Sequence, residues 1–495
     1  MDGFYGYKYG RMRFWEMLPG ALVWGTLILG LALSFFAPVY VVVFIIVFDL
    51  YWFFRVAYFI IFLVIAWVEV RRASKVDWAA RVREIPGHER IHHLVFLPTY
   101  KEELSVIRAT LRSLLSAHVP HERMIVVLAG EERDAHRFRK NAAAIEREFG
   151  HRFKKLIVTE HPAGLPDEIP GKGSNLNWAG HRADEVLTAE FPTLKDEDLI
   201  VSAFDVDTVV HPQYFSYLAR TYLTVEDPLR CSYQPVVLFS NTIWTAPAPV
   251  RIAAFGTTFW LMGELARPER LWTFSSHSMP WKMLKDVRFW QKDIVSEDSR
   301  IFLQAFVHYR GDYRVTPLYL PVSMDAVSGE TYVAALKALY KQQRRWAWGV
   351  EHLPAMVAAF GAAPGIPLMK KARYLFNHLE GMYTWATAPL LIFLFGQLPL
   401  ALVRDPDALI QAAPFTLQHI MQLAMAGVFV SGILSLTLLP PRPASVKGWA
   451  WLLMVAQWLL LPVTFILFGA LPAIDAQTRF LLGSYLGFNV TKKLR

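Results

Sequence analysis

Hydrophobic residues gather in two blocks, residues 15–70 and 375–471, with a long stretch of mixed polarity between them. A helix needs roughly 20 mostly apolar residues to cross about 30 Å of hydrocarbon. Trp15–Phe36 meets that length and breaks at Pro38. Val39–Val70 meets it again, with Asp49 and Arg55 as its only charges before Glu69. The pair predicts a transmembrane hairpin. A cleaved signal peptide is the alternative, but the apolar character runs far past an h-region and no small-residue cleavage site stands out. Tyr374–Val403, Pro414–Leu439 and Trp449–Leu471 are three further spanning candidates. Lys8, Arg11 and Arg13 precede the first helix, and Arg71, Arg72 and Lys75 follow the second. The positive-inside rule therefore places the middle stretch in the cytosol. Three later crossings would put the C-terminus outside, whereas the tail Lys492-Lys493-Leu494-Arg495 favours the inside. A re-entrant segment or a split Tyr374–Val403 run would reconcile the two.

The polar middle alternates short apolar runs with helical patterns. His93–Thr99, Met124–Ala129, Lys155–Thr159 and Leu199–Phe204 read as strands; Glu103–Ala117, a charged segment around Glu132–Phe149, and Leu176–Leu187 read as helices. Such alternation predicts an α/β domain built on a parallel sheet with crossovers. The expected organisation is a membrane hairpin (1–70), a cytosolic catalytic domain (71–350), an interfacial linker (351–373), C-terminal membrane helices (374–471) and a terminal segment (472–495).

Composition sharpens the class. Of 495 residues, 54% are hydrophobic and 19% charged, which excludes disorder, and the single cysteine, Cys231, excludes a disulfide scaffold. The net charge of +9 clusters at the predicted membrane edges and no nucleic-acid module is recognisable, so a bilayer, not a nucleic acid, is the expected partner.

In parallel sheets ligands bind beyond the carboxyl ends of the strands. Thr99-Tyr100-Lys101-Glu102 follows the first predicted strand and Asp205-Val206-Asp207 the fourth. Two carboxylates one residue apart suit a hard cation, Mg2+ or Mn2+, whose shell a diphosphate completes; ordinary solvated acids are the competing explanation. Gly171-Lys172-Gly173-Ser174 reads as a flexible loop whose cation and N–H groups suit phosphate, or as a mere surface turn. Ser296-Glu297-Asp298 opens a helix, where acids are also simple helix-start chemistry. Gln342-Gln343-Arg344-Arg345-Trp346 lies in a helix that could equally rest on a membrane surface. Phe488-Asn489-Val490-Thr491-Lys492-Lys493 follows the last apolar block.

The order of these elements resembles the membrane-embedded family-2 glycosyltransferases, the group containing cellulose and hyaluronan synthases. The resemblance covers about residues 15–495, and Gln342…Arg345-Trp346 is its most specific part. It implies a GT-A-like mixed sheet inserted between transmembrane helices, and a hexosyltransferase at a bacterial inner membrane. The implied reaction is inverting and metal-dependent. It would build a β-linked polysaccharide from a nucleotide sugar, a UDP-hexose, and move it across the membrane; transfer of one sugar to a lipid acceptor is the alternative. By the same resemblance Thr99, Tyr100 and Glu102 hold the nucleotide; Lys172, from its own loop chemistry, is the further candidate for the diphosphate. Asp205 and Asp207 hold the diphosphate and its Mg2+ or Mn2+. Asp298 is the general base, with Ser296 standing where the family has Thr. Arg345 binds diphosphate, while Gln342 and Trp346 face the acceptor. Thr491 and Lys493 match nucleotide contacts of a gating loop.

Two departures stand out. The family's Asp-Asp-Gly after the second strand is here Ala129-Gly130-Glu131-Glu132, so either glutamate substitutes or the base is held differently. The small-residue acceptor loop becomes Ser275-Ser276-His277-Ser278, making His277 either an acceptor contact or a structural histidine. Trp281 and Trp290 join Trp346 as candidates for an acceptor stacking platform.

Overall fold

The computed structural model describes residues 10–402 and 430–486, with positions 415, 418, 422 and 427 between them. The Phe488–Lys493 motif, including Thr491 and Lys493, lies outside the described residues, as does much of the first half of Pro414–Leu439.

Two apolar helices open the chain, α1 (Arg13–Phe36) and α2 (Pro38–Ala73). The break falls where proline cannot continue a helix but can begin one. With its 36 residues, α2 is about 54 Å long at 1.5 Å per residue. Val47, Phe54 and Ile61 on it are each more than half exposed, an apolar surface of the kind that marks a membrane contact. Arg55 on it is paired: its Nη1 lies 2.7 Å from Glu380 Oε1, which also accepts from Tyr51 at 2.6 Å. Among the described residues three helices are long and apolar enough to cross a membrane, namely α1, α2 and Ala450–Leu482. The described part of the Tyr374–Val403 run is helical over 374–395 and 398–402 but is not one of the three, and the helix that enters it, Leu368–Leu390, carries Lys370, Lys371 and Arg373 in its first turns.

Between the membrane segments lies one eight-stranded sheet in the order β3-β2-β1-β4-β7-β6-β8-β5. Its first half is parallel: β1 (His92–Pro98), β2 (Met124–Glu131), β3 (Lys155–His161) and β4 (Leu199–Ala203). The central strands are buried on both faces, which is why they read as unbroken apolar runs. At the edge, β3 alternates buried and half-buried residues instead. The helices α3 (Leu104–Leu115) and α4 (Ala135–Phe149) cover the sheet, α4 through Phe138, Ala142, Ile145 and Phe149 on one face. A third cover helix, α5, runs Lys172–Glu190.

The second half of the sheet departs from the parallel pattern. The strands β5 (Val209–Val210), β6 (Cys231–Leu238), β7 (His277–Pro280) and β8 (Arg314–Ser323) mix directions, and β7 runs antiparallel to β4. The result is the mixed GT-A-like sheet. Helix α6 (Ala248–Leu265) packs on α2, where Gly263 lies beneath the Phe59 ring. It ties the sheet domain to the membrane frame.

Trp281 and Trp290 correct an expectation. They are 1% and 0% exposed and pack with Phe96 and Phe289. Their large apolar area is spent in the core, so neither offers a face to an acceptor.

A Cβ added at Gly130 on β2 would sit 2.2 Å from the Phe138 ring. Gly130→Ala should therefore destabilise the protein by roughly 1–3 kcal/mol through overpacking, lowering its thermal unfolding midpoint. Gly25→Ala, with nothing within 4 Å, should leave the midpoint unchanged or slightly raised.

Candidate active site

The loop after β4, the segment that leads into β7 and the starts of two helices meet at one corner of the sheet. The Gly171–Ser174 segment is not a flexible loop there. Lys172 is the first residue of α5, with Gly171 as its cap; Gly171 N donates to Ser174 Oγ at 3.2 Å and Ser174 Oγ donates to Gly171 O at 3.0 Å. The first of these satisfies an N–H that a helix start otherwise leaves open, and the Gly171 carbonyl also accepts from the Asn175 N–H at 3.1 Å. The lysine is thereby fixed rather than mobile.

Lys172 Nζ is the centre of the site. It lies 2.6 Å from Asp205 Oδ1, 2.9 Å from both oxygens of Asp298 and 3.8 Å from Glu297 Oε1. Asp205 comes from the loop after β4, while Glu297 and Asp298 form the first turn of α7 (Glu297–His308). Ser275 Oγ donates to Asp205 Oδ2 at 2.6 Å and Thr273 Oγ1 to the Asp298 carbonyl at 2.6 Å. Burial opposes the lysine's charge, but Asp205, Asp298 and Glu297 outweigh it and raise its pKa well above the ordinary lysine range. Glu297 goes the other way for a carboxyl. Burial and the adjacent Asp298 push it up to about 8, so it holds a proton at neutral pH.

Asp207 is fully buried and turned elsewhere. Its Oδ2 accepts from the Asp325 backbone N–H at 2.9 Å and its carbonyl from Asn241 at 3.1 Å. The two motif carboxylates thus have different neighbours. His277 is also 0% exposed, with Nδ1 bonded to the Phe274 carbonyl at 2.7 Å. Burial depresses its pKa to about 4, leaving a neutral ring packed inside the domain with Nδ1 4.0 Å from Asp298 Oδ1.

At the neighbouring corner Thr99 Oγ1 and the Tyr100 N–H both donate to Glu102 Oε2. Glu131, buried at the end of β2, pairs with Arg133, whose guanidinium lies 4.6 Å over the Tyr100 ring. Burial raises the Glu131 pKa, against Arg133. Glu132 accepts instead from the Ala163 N–H at 2.7 Å, so Glu131 is the glutamate beside Tyr100. Arg133 and Ser275 carry no motif signal of their own in the sequence, and Glu297 was visible only as the middle residue of Ser296-Glu297-Asp298. Ser275 was within reach only as part of the altered acceptor loop.

The third wall is α8 (Tyr332–Ala347), which carries Gln342, Arg345 and Trp346. Arg345 acts electrostatically on Glu297, and the Trp346 ring lies 5.8 Å from Phe239. Gln342 and Trp346 line a cleft with Phe239, Val250, Ala253 and Leu339.

Among the described residues no three His, Cys, Asp or Glu form a closed metal cage. The donor chemistry fits a divalent cation shared with a substrate phosphate. Asp205 offers hard carboxylate oxygen, and Asp205 with Asp298 leaves the Lys172 cluster net negative before any diphosphate enters.

The raised Glu297 pKa has a definite sign. The folded state binds this proton more tightly than the unfolded chain, so stability is lost as pH rises from about 4.5 through about 8. Glu297→Gln, which cannot ionise, should flatten the fall in thermal midpoint that the wild type shows across that window.

The sequence profile of glycosyl transferase family group 2 matches residues 200–473, more than half of the chain. A sequence search of curated proteins finds no match. Among solved structures, the chain is similar to the mannosyltransferase PcManGT from Pyrobaculum calidifontis in complex with GDP-Man and Mn2+. That similarity has 16% identity and a TM-score of 0.42, covering 86% of this chain and 99% of that one. TarS 1-349 of S. aureus in complex with UDP-GlcNAc is similar at 15% identity and a TM-score of 0.37, covering 72% of this chain and 95% of that one. The profile match spans β4 with Asp205, the Ser296–Asp298 turn and the Gln342–Trp346 helix, and the chain belongs to glycosyl transferase family group 2.

Proposed function

We propose that this enzyme transfers a hexosyl group from a nucleotide sugar, a UDP-hexose, to a hydroxyl of a growing β-linked polysaccharide with inversion at the sugar carbon. The catalytic domain would face the cytosol of a bacterium, and the spanning helices would pass the product through the inner membrane. The observation that carries the reading is the convergence of Asp205, Asp298 and Lys172 from three separate elements at the ligand-binding end of the sheet.

A sugar hydroxyl is a poor nucleophile near neutral pH, so a carboxylate must take its proton as the bond forms. Asp298 serves as that base. The acceptor oxygen bonds to the sugar carbon as the bond to phosphate breaks, and the electron pair leaves with the nucleoside diphosphate. Lys172 and Arg345 meet the charge that develops on the leaving group. Thr99, Tyr100 and Glu102 hold the nucleoside, with Glu131 and Arg133 beside it. Asp205, with Asp207 as its motif partner, would hold Mg2+ or Mn2+, which supplies further positive charge against the diphosphate. Gln342 and Trp346 orient the acceptor. Thr491 and Lys493 belong to the nucleotide contacts by motif.

A lipid acceptor is a second reading, and one observation favours it. The cleft beside Trp346 is walled mainly by Val250, Ala253, Ala254 and Leu339, which suits hydrocarbon better than sugar hydroxyls that need partners.

The test uses purified protein in lipid with a panel of radiolabelled UDP-hexoses. Asp298→Asn should lower kcat at least about 100-fold, the scale of a lost general base. EDTA should stop turnover and Mg2+ or Mn2+ restore it. Label in high-molecular-weight, lipid-free material supports the polymer, and label in an organic extract moves the assignment to a lipid. No turnover of any donor would overturn the proposal.

A further inference from the structure

Beyond the Lys172 cluster, a second buried carboxylate gathers more hydrogen bonds than any catalytic role requires. Glu351 is 5% exposed and lies in the short turn between α8 and the next helix, α9 (His352–Ala362). Its Oε1 accepts from the Val295 N–H at 3.3 Å, from the Ser296 N–H at 3.2 Å and from Ser296 Oγ. Its Oε2 accepts from Trp348 Nε1 at 3.1 Å and from the Tyr485 hydroxyl at 2.6 Å. Five donors point at two oxygens, an arrangement that only the acceptor-only carboxylate satisfies.

The next residue completes a clamp. Arg300 Nε donates to His352 Nδ1 at 3.2 Å, so the ring proton is on Nε2, which faces Ser299 Oγ at 2.8 Å. Glu351 and His352 therefore grip Val295, Ser296, Ser299 and Arg300, on both sides of Glu297 and Asp298. Neither touches the Asp298 carboxylate. The clamp begins five residues after Trp346, so it sets the Asp298 turn against the helix that carries Gln342 and Arg345. Tyr485 adds a third arm, from the segment that follows the spanning helix Ala450–Leu482.

We propose that Glu351 is a positioning residue for the base. It holds the Ser296–Asp298 turn in register with the Gln342–Trp346 helix and makes that register depend on Tyr485. The proposal rests on the reading of Asp298 as base. Burying a carboxylate is costly, and apolar packing would stabilise the same contact at least as well. What the carboxylate adds is direction: backbone N–H groups, a hydroxyl, an indole and a phenol can meet on it in one geometry only.

The test uses the full-length protein in lipid with whichever UDP-hexose the wild type turns over best. Glutamine offers one acceptor oxygen in place of two, so Glu351→Gln cannot serve both sets of donors. Its kcat should fall at least tenfold with the donor KM within threefold of wild type. Tyr485→Phe should lower kcat about threefold in the wild type, and make no further change in the Glu351→Gln background, because both act through one carboxylate. Support for the fold alone would give the same Tyr485→Phe effect in both backgrounds, and that result overturns the proposal. So does an unchanged kcat in a folded Glu351→Gln protein. If Glu351→Gln does not fold, Ser296→Ala and Tyr485→Phe carry the test. Each should lower kcat at constant donor KM, and the pair together should cost no more than the worse single change. Additive losses, or none, overturn the proposal. Asp298→Asn separates the two ideas: if it still turns over, the base assignment itself has failed, whereas an inactive Asp298→Asn beside an active Glu351→Gln sinks only the positioning role.

Discussion

One ammonium organises the site. Lys172 Nζ, at 2.6 Å from Asp205 and 2.9 Å from Asp298, neutralises carboxylates that would otherwise repel across a partly buried corner. Its position is set by backbone chemistry: Gly171 and Ser174 close the first turn of α5, and the side chain leaves from there. The three carboxylates arrive from the loop after β4 and the start of α7, which the antiparallel strand β7 brings side by side. A parallel sheet alone would not place α7 there.

The membrane segments frame this corner. Helix α6 joins the sheet domain to α2, and the Ala450–Leu482 helix contacts both α1 and α8. Asp475 on it pairs with Arg344 at 2.8 Å, one residue from Arg345. The helix that carries Gln342, Arg345 and Trp346 is therefore fastened to a spanning segment. Changes in the membrane part have a short physical route to the site.

Buried polar groups mark the same axis. Glu297 stays protonated beside Asp298, and Glu351 collects donors from the turn before Glu297, the residue after α8 and Tyr485. Such networks are costly to leave half-satisfied, which favours a single arrangement of the turn that bears Asp298.

Much of this was legible in the sequence. Unbroken apolar runs such as Met124–Ala129 mark strands buried on both faces, and the Phe36–Pro38 break marks the hairpin, because periodicity and proline act locally. Residues just past strands, such as Thr99 and Asp205, were candidates because parallel sheets bind ligands there. Burial was not legible, because it depends on residues far apart in the chain. Trp281 and Trp290 read as binding aromatics and lie in the core; His277 could be either acceptor contact or structural ring until packing enclosed it. Glu351, a lone charge in an apolar run, gave no signal at all. Local pattern fixes which element a residue joins, but which carboxylates share one lysine, and which glutamate keeps its proton, is decided only when distant segments meet in a low-dielectric interior.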